Sequence, residues 1–480
     1  MNLEDPIRPS TVPAIERIAP ISPGQERLLA AEYQLDDGTY PTDNSPGSLR
    51  AVDAAAVEVH GPLRAAALRY AVNELVRRQS ALRTTFRFSQ QRTPLQMVTV
   101  HRPLPLDPEP LPDIAGREHI AKLIELAAAA PRHPERDALF RARLFRHRVD
   151  HHTLLLQVHH LISDGWSVGL IFRDLSELYR AATTGQVADL PPLPVTFADL
   201  SEWMWHERRS ERLRSQLNEV VHRYPNRWPP PPFPSSALRP AIGSAEVIAR
   251  PFRIPTGLAS QLSNMHRNQG VQTGLAAPIL TALSLALSAT TGRIEIAIGM
   301  MVANRARRDA EPLVGYFVNI AILRIAIDPG GTIGNLLAKI NSQVVQAIQR
   351  QELPIQDLTA NLRERMAIPN FEPYQVTLAL NNAHDKTLRL QGLDCTTTDI
   401  ERYGPRQSAA AMPQRWVLDE SPDGIRGTMT FRTDSMTAQD ANENIENFVY
   451  ALSLTSDHSR PTREVLSELR LKAAQIPLDT

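Results

Sequence analysis

The most constraining feature of the sequence is a short apolar run that ends in a compact polar turn. Residues Thr153 to Val158 are aliphatic almost without interruption, which is typical of a buried strand. The turn His159 to Gly165 follows, and residues Ser167 to Thr184 then carry apolar side chains at the spacing of one helix face, with Gly185 at the predicted end. The pattern predicts a strand, a polar turn and a helix in succession. A turn on such a rigid support is a good position for chemistry.

Length and charge limit the class of protein. At 480 residues the chain exceeds the size at which a single core stops growing, so we expect two domains. The 52 basic residues balance the 52 acidic ones, which gives no electrostatic argument for binding nucleic acid. The single cysteine, Cys395, has no intramolecular disulfide partner and is interpreted as a reduced, structural thiol.

The sequence gives no argument for a membrane partner. The first residues are acidic and contain a proline, unlike a signal peptide, so we expect a cytoplasmic protein. Residues Thr273 to Gly292 carry no charge and are long enough to span a bilayer. They are rich in Ala, Ser, Thr and Gly, with Pro278 inside, and they precede a half-buried strand. We therefore predict a buried core helix there.

Other segments also have recognisable periodicity. Ser22 is a candidate N-cap with Pro23 at the first helical position, and Leu139 to Arg146 is predicted to form a hairpin with the strand at Thr153. The remaining predicted elements are strands at Ala51 to His60, Leu82 to Phe88 and Gln375 to Leu380; helices at Pro62 to Gln79, Glu118 to Ala130, Ile333 to Gln349 and Thr462 to Ala474; and an extended connector at Trp228 to Pro234.

His160 is the residue in the turn with the most useful chemistry. A histidine near neutral pKa accepts a proton from an attacking amine or hydroxyl, and such catalysis is typically worth ~10²–10⁴-fold. The imidazole could instead orient the nucleophile or stabilise the charge that develops on it. The sequence does not separate these roles.

Asp164 has two interpretations. Its carboxylate either holds an imidazole in a catalytic dyad, or is buried and paired with an arginine that keeps the turn rigid. We favour the arginine, because a buried carboxylate requires a compensating partner, and Arg83 is the candidate since it lies on a predicted neighbouring strand. Gly165 would then permit backbone freedom or close approach of another chain segment.

The histidines around the turn could also be considered as metal ligands. Five of them, His147, His151, His152, His159 and His160, fall within fourteen positions. Consecutive residues on a strand point to opposite faces, so His159 and His160 are poor ligands for one ion. We predict no metal site.

Several motifs in the chain resemble those of one family. Residues His159 to Gly165 match the HHxxxDG signature of the condensation domains of nonribosomal peptide synthetases. Gln79 and Ser80 depart from the His and Glu of the family's RHExLRTxF motif. The other similar segments, in family order, are Ser22 to Leu28 (SxAQxRL), Arg78 to Phe86 (RHExLRTxF), Phe197 to Trp203 (YxDFAxW), Val314 to Asn319 (GxFVN) and Gln351 to Ile355 (QDxPF).

This resemblance implies an α/β fold of two chloramphenicol-acetyltransferase-like lobes, residues 1–186 and 187–480, forming a V-shaped pseudodimer with a central tunnel. The family's reaction joins an acyl or aminoacyl thioester, held on the phosphopantetheine of a peptidyl or acyl carrier protein, to the amine or hydroxyl of an acceptor. The acceptor is either a small molecule or carrier-bound. The resemblance implies His160 as the catalytic residue, with His159, Asp164, Gly165 and Arg83 supporting the motif. It implies no tightly bound cofactor.

Three functions stay open at this point. Only a short helical segment follows the condensation-like region, so we expect a free-standing condensation enzyme. The first alternative is an acyltransferase that uses acyl-CoA, because HxxxD is shared across the superfamily. The second is a catalytically silent domain that recruits a partner, which would be expected to lose His160 or Gly165.

Overall fold

The computed structural model describes residues 14–33, 52–89, 93–111, 137–224, 228, 247–268, 274–367, 371–381, 386–398, 412–421 and 424–475. The strands are β1 (Ile15–Pro20), β2 (Val52–His60), β3 (Thr84–Phe88), β4 (Pro94–Thr99), β5 (Glu109–Pro110), β6 (Phe140–Arg148), β7 (His151–His159), β8 (Val247–Ile254), β9 (Glu295–Val302), β10 (Asn319–Ala326), β11 (Val376–Asn381), β12 (Asp394–Thr398), β13 (Gln414–Ser421) and β14 (Gly424–Arg432). The helices are α1 (Pro23–Tyr33), α2 (Ala65–Arg78), α3 (Gly165–Thr184), α4 (Phe197–Glu207), α5 (Glu211–Arg223), α6 (Thr256–Asn268), α7 (Ala276–Thr291), α8 (Ile333–Gln349), α9 (Ile355–Met366), α10 (Ala438–Leu454) and α11 (Thr462–Gln475).

The chain forms two compact units that are interleaved along the sequence. The first takes residues from Met1–His206, Arg307–Tyr316 and Asp385–Pro405, and the second takes residues from the remaining stretches. The predicted division into residues 1–186 and 187–480 differs from these units, because two later segments pack with the first. That division stays a prediction, as does the V-shaped arrangement with its tunnel.

The first unit is built on a five-stranded sheet of order β12-β2-β7-β6-β5. The central strand β7 pairs antiparallel with both β2 and β6, which confirms the predicted hairpin and explains the aliphatic run: a central strand is buried on both faces. A small apolar cavity lies between helix α3 and β7. Val168, Ile171 and Phe172 of the helix line it together with Leu156 and Val158 of the strand. The sheet and this helix together fix the position of the turn between them.

A separate antiparallel sheet of order β1-β4-β3 belongs to the same unit. The strand predicted at Leu82 begins only at Thr84, because Ser80–Arg83 form one 3₁₀ turn. Ser22 caps α1 as predicted: its Oγ accepts the Gln25 N–H at 3.2 Å, and Gln25 Oε1 accepts the Ser22 N–H at 2.8 Å. Such reciprocal capping satisfies two donors that the helix end leaves open.

The second unit has a six-stranded mixed sheet of order β10-β9-β11-β13-β14-β8, in which β11 runs parallel to both neighbours. Helix α7 is buried along most of its length and packs against α8, α10 and α11, which confirms the predicted core helix. No helix in the part of the chain that the structure describes is long and apolar enough to cross a membrane.

The other predicted elements have different outcomes. The strand at Gln375 and the helices at Pro62, Ile333 and Thr462 are confirmed within a few residues. The predicted helix at Glu118 to Ala130 lies outside the described residues, as does the connector after Trp228. Cys395 lies half-buried on β12, where burial raises the pKa of its thiol.

Candidate functional site

The polar turn begins where β7 ends, and His159 is the residue that shapes it. Its side chain is fully buried, and its Nδ1 accepts the Leu161 N–H at 3.0 Å. This bond caps the single 3₁₀ turn His160–Ile162. Helix α1 supports the same turn, since Gln25 Nε2 donates to the Leu161 carbonyl at 2.7 Å. His159 and Gln25 therefore hold the backbone that carries His160.

His160 is only partly buried, in contrast to His159 beside it. Its ring centroid lies 6.3 Å from that of Tyr316, with the two planes tilted by 58°. The Tyr316 hydroxyl in turn accepts a hydrogen bond from Arg27 at 3.0 Å. The imidazole thus stands at the end of a rigid strand and is accessible to a reactant, as proton transfer or positioning of a nucleophile requires.

Asp164 is buried and acts as the N-cap of α3. Its Oδ1 accepts both the N–H and the hydroxyl of Ser167, each at 2.8 Å. A negative charge at a helix N-terminus is also favoured by the helix dipole. The carboxylate therefore holds the junction between turn and helix.

The proposed pairing of Asp164 with Arg83 is wrong. Arg83 forms an ion pair with Glu16 at 2.5 Å and donates to the Thr99 carbonyl. The physical reason is sheet membership: Arg83 precedes β3, which pairs with β4 in the three-stranded sheet, whereas Asp164 follows β7 in the five-stranded one. Arg83 therefore supports β1 and β4, and it is not brought to the turn.

Gly165 is the first residue of α3 and does not have a positive φ. The helix therefore does not use the left-handed backbone freedom that a glycine offers at this position, and the other expected role of Gly165, close approach of another chain segment, stays a prediction. The glycine that does use this freedom is Gly185, which ends α3 with φ of 72° as the helix pattern predicted.

Two substitutions at Asp164 separate the contribution of its hydrogen-bonding cap from that of its negative charge. Asn keeps an acceptor for the Ser167 N–H and hydroxyl, whereas Ala offers none, so loss of the cap in Asp164→Ala should lower the free energy of unfolding by about 1 kcal/mol more than Asp164→Asn does. Urea denaturation of both variants measures this difference. Equal stability of the Ala variant and the wild type would contradict the capping role. A stable but slow Asn variant would show that the charge itself assists the reaction.

Residues 311–315, which are distant in sequence, form a segment that is hydrogen-bonded to the first turn of α3. Trp166 Nε1 donates to the Glu311 carbonyl at 3.0 Å. The Gly315 N–H donates to Ser167 Oγ at 3.1 Å, and the same hydroxyl lies 2.9 Å from the Gly315 carbonyl oxygen. Because Ser167 also bonds Asp164, the cap and the segment belong to one hydrogen-bonded network.

Gln79 holds the same segment from the side of α2. Its Oε1 accepts the Val314 N–H at 3.0 Å, and its Nε2 donates to the Pro312 carbonyl at 3.0 Å. The amide also donates to the fully buried carboxylate of Asp174, to which Arg78 is ion-paired at 3.1 Å. Gln79 is one of the two residues that depart from the family motif, and here its amide satisfies three groups at once.

Sequence reasoning did not single out Gln25 or Tyr316, although both fall inside segments that carry the resemblance. The family motifs were the only sequence signal for these two residues, because their contacts to the turn depend on tertiary structure.

Among the histidines considered as metal ligands, His151 lies at the start of β7 and His159 at its end, with His147 near the former. The strand therefore separates these groups.

Comparisons with known proteins show which family the chain is similar to. A family model described as "Condensation domain" matches residues 15–464. Phosphinothricin tripeptide synthetase PhsC from Streptomyces viridochromogenes is 32% identical over 369 residues, which cover 76% of this chain and 33% of PhsC. The chain spans a third or less of the length of the curated relatives that it matches first.

Solved structures show the same fold. The X-domain in complex with OxyB from teicoplanin biosynthesis superposes with a TM-score of 0.71 at 22% identity, covering 96% of this chain and 98% of that one. The starter condensation domain of rhizomide synthetase RzmA, in complex with C8-CoA, superposes with a TM-score of 0.74 at 17% identity, covering 93% and 96%. The predicted α/β fold of the acetyltransferase type is confirmed by these likenesses.

Proposed function

Because the chain belongs to the condensation domain family, we propose that it joins an acyl or aminoacyl thioester, carried on the phosphopantetheine of a carrier protein, to an amine or hydroxyl acceptor. The product is an amide or an ester. The observation that carries the proposal is the intact turn: His160 is accessible at the end of β7, while His159, Gln25 and Asp164 hold its backbone.

His160 would act on the acceptor. The lone pair of the acceptor nitrogen or oxygen attacks the thioester carbonyl carbon, a C–N or C–O bond forms, and the C–S bond breaks. The imidazole either takes the acceptor's proton and returns it to the leaving thiolate, or holds the nucleophile in line for attack. The buried neighbours of His160 do not touch the reactants in this scheme, and they act by fixing its position.

Two alternatives have specific support. The starter condensation domain of RzmA, which has the same fold, is in complex with C8-CoA, so a soluble acyl-CoA is a second candidate donor. The X-domain is in complex with OxyB, a partner protein, so recruitment is a second candidate role. Both His160 and Gly165 are retained here, and a silent domain would be expected to lose one of them. We therefore favour catalysis with a carrier-bound donor. The free-standing form stays a prediction.

The test offers the protein a panel of carrier proteins loaded with acyl and aminoacyl groups, or the same acyl groups on coenzyme A, together with amines and alcohols. We expect product from a loaded carrier with at least one acceptor, and little from acyl-CoA. Equal rates from acyl-CoA would replace the proposal with the first alternative. Failure of every donor, together with stable binding of a carrier or partner enzyme, would replace it with recruitment.

A further inference from the structure

Glu58, His60 and His151 converge at the end of β7 that lies farthest from His160. One ligand atom from each residue can be chosen such that all three atoms lie within 4.8 Å of one another. His60 Nε2 is 3.8 Å from Glu58 Oε2, and the rings of His60 and His151 stack with centroids 4.3 Å apart and planes 15° apart. All three side chains are partly exposed.

The sheet register brings these residues together. Strands β2 and β7 are antiparallel, and His60 lies directly opposite His151. Glu58 is two residues before His60, so it lies on the same face, opposite Thr153. The three candidate ligands therefore lie on two strands, β2 and β7, that are far apart in sequence. The run of histidines between positions 147 and 160 therefore did not reveal it.

Two imidazoles and a carboxylate are a donor set typical of a borderline divalent metal such as Zn²⁺, whereas Mg²⁺ and Ca²⁺ prefer oxygen ligands alone. Zn²⁺ binds these donors at about 2.0–2.2 Å, so neighbouring ligand atoms around a tetrahedral ion lie roughly 3.3 Å apart. The separation of 3.8 Å between His60 and Glu58 is close to this value. Because the rings of His60 and His151 stack nearly parallel, the His60 ring must rotate out of the stack to point a nitrogen lone pair at a shared ion, and its side chain, 44% exposed, has the freedom to do so.

We propose that Glu58, His60 and His151 bind one divalent transition-metal ion, with the fourth position open to water. His147 stacks on His151 at 4.4 Å, and its Nε2 is hydrogen-bonded to Thr153 Oγ1 at 2.8 Å. This second stack restrains the His151 ring in the site. The site is independent of the condensation chemistry.

The position of the ion indicates a structural role. His151 opens β7 and His160 follows its end, so the two lie on the order of 30 Å apart at about 3.3 Å per strand residue. The ion would join β2 to β7 at the end of the sheet remote from the turn. We therefore expect its removal to lower thermal stability and to leave the rate at His160 unchanged.

The test is titration of the untagged, chelator-treated full chain with Zn²⁺ by calorimetry, and with Co²⁺ by absorption spectroscopy. We expect one ion per chain, a Co²⁺ spectrum of four-coordinate type, and a higher melting temperature with Zn²⁺. His60→Gln and His151→Gln should each weaken binding by on the order of 100-fold, since loss of even an outer-shell partner typically costs about 10–100-fold. His222→Gln, at an exposed histidine on α5, is the matched control and should bind as the wild type does.

Clear outcomes would overturn the proposal. These are the absence of saturable Zn²⁺ binding, binding that survives both ligand substitutions, or equal weakening by His222→Gln. Because the His60 side chain is 44% exposed, its substitution should not prevent folding, and circular dichroism of each metal-free variant checks this. If His151→Gln fails to fold, His60→Gln and Glu58→Gln decide the question.

Discussion

Replacing His160 with alanine is expected to lower the rate of condensation by ~10²–10⁴-fold, the range that general acid–base catalysis supplies. The side chain is only partly buried, so the variant should stay folded. Product formation from a loaded carrier and an acceptor, measured at saturating and at low acceptor concentration, gives both kcat and KM. A fall in kcat with KM unchanged indicates an interaction made only in the transition state.

Two control variants sharpen this result. His206→Ala removes an exposed histidine from α4 and should leave the rate unchanged. His159→Ala removes a buried ring that accepts the Leu161 N–H, so it should lower the free energy of unfolding as well as the rate. Full activity of His160→Ala with every productive pair of substrates would rule out the proposed role of this histidine.

Gly315→Ala is expected to destabilise the protein by about 1–3 kcal/mol, the usual cost of overpacking a core. A Cβ built on Gly315 would lie only 2.1 Å from Cδ2 of Phe197, which is itself buried. Either the ring or the backbone must move, and Gly315 is hydrogen-bonded to Ser167, so the displacement should reach the helix that carries Asp164. Urea denaturation measures the loss of stability, and the condensation assay measures the effect on rate.

Gly257→Ala is the matched control for this clash. A Cβ at Gly257 meets nothing within 4 Å, so the substitution should be neutral or slightly stabilising. Phe197→Leu in combination with Gly315→Ala should recover part of the lost stability, because the smaller side chain makes room for the methyl group. Absence of any recovery would mean that the clash with Phe197 is not the cause.

The sequence was sufficient to predict those elements whose structure depends on residues close together in the chain. The aliphatic run, the polar turn and the amphipathic stretch before Gly185 became β7, the 3₁₀ turn and α3, because each depends on periodicity and capping within a few residues. The cap at Ser22 was predictable for the same reason. These elements include the backbone that presents His160.

The wrong ion pair and the missed contacts concern residues that are distant in sequence. Arg83 was assigned to Asp164 because it was predicted on a strand next to the one that leads into the turn, but β3 joins a different sheet. The pairing of His60 with His151 likewise depends on register, which no local pattern specifies.

The place of β12 in the first sheet has a consequence for biosynthesis. This strand, Asp394–Thr398, pairs with β2 along its outer edge, yet it is synthesised long after β2 and after much of the second unit. Until it emerges from the ribosome, the outer edge of β2 has unpaired N–H and C=O groups that can pair with another chain. The nascent amino-terminal region thus depends on late translation to protect its sheet from aggregation.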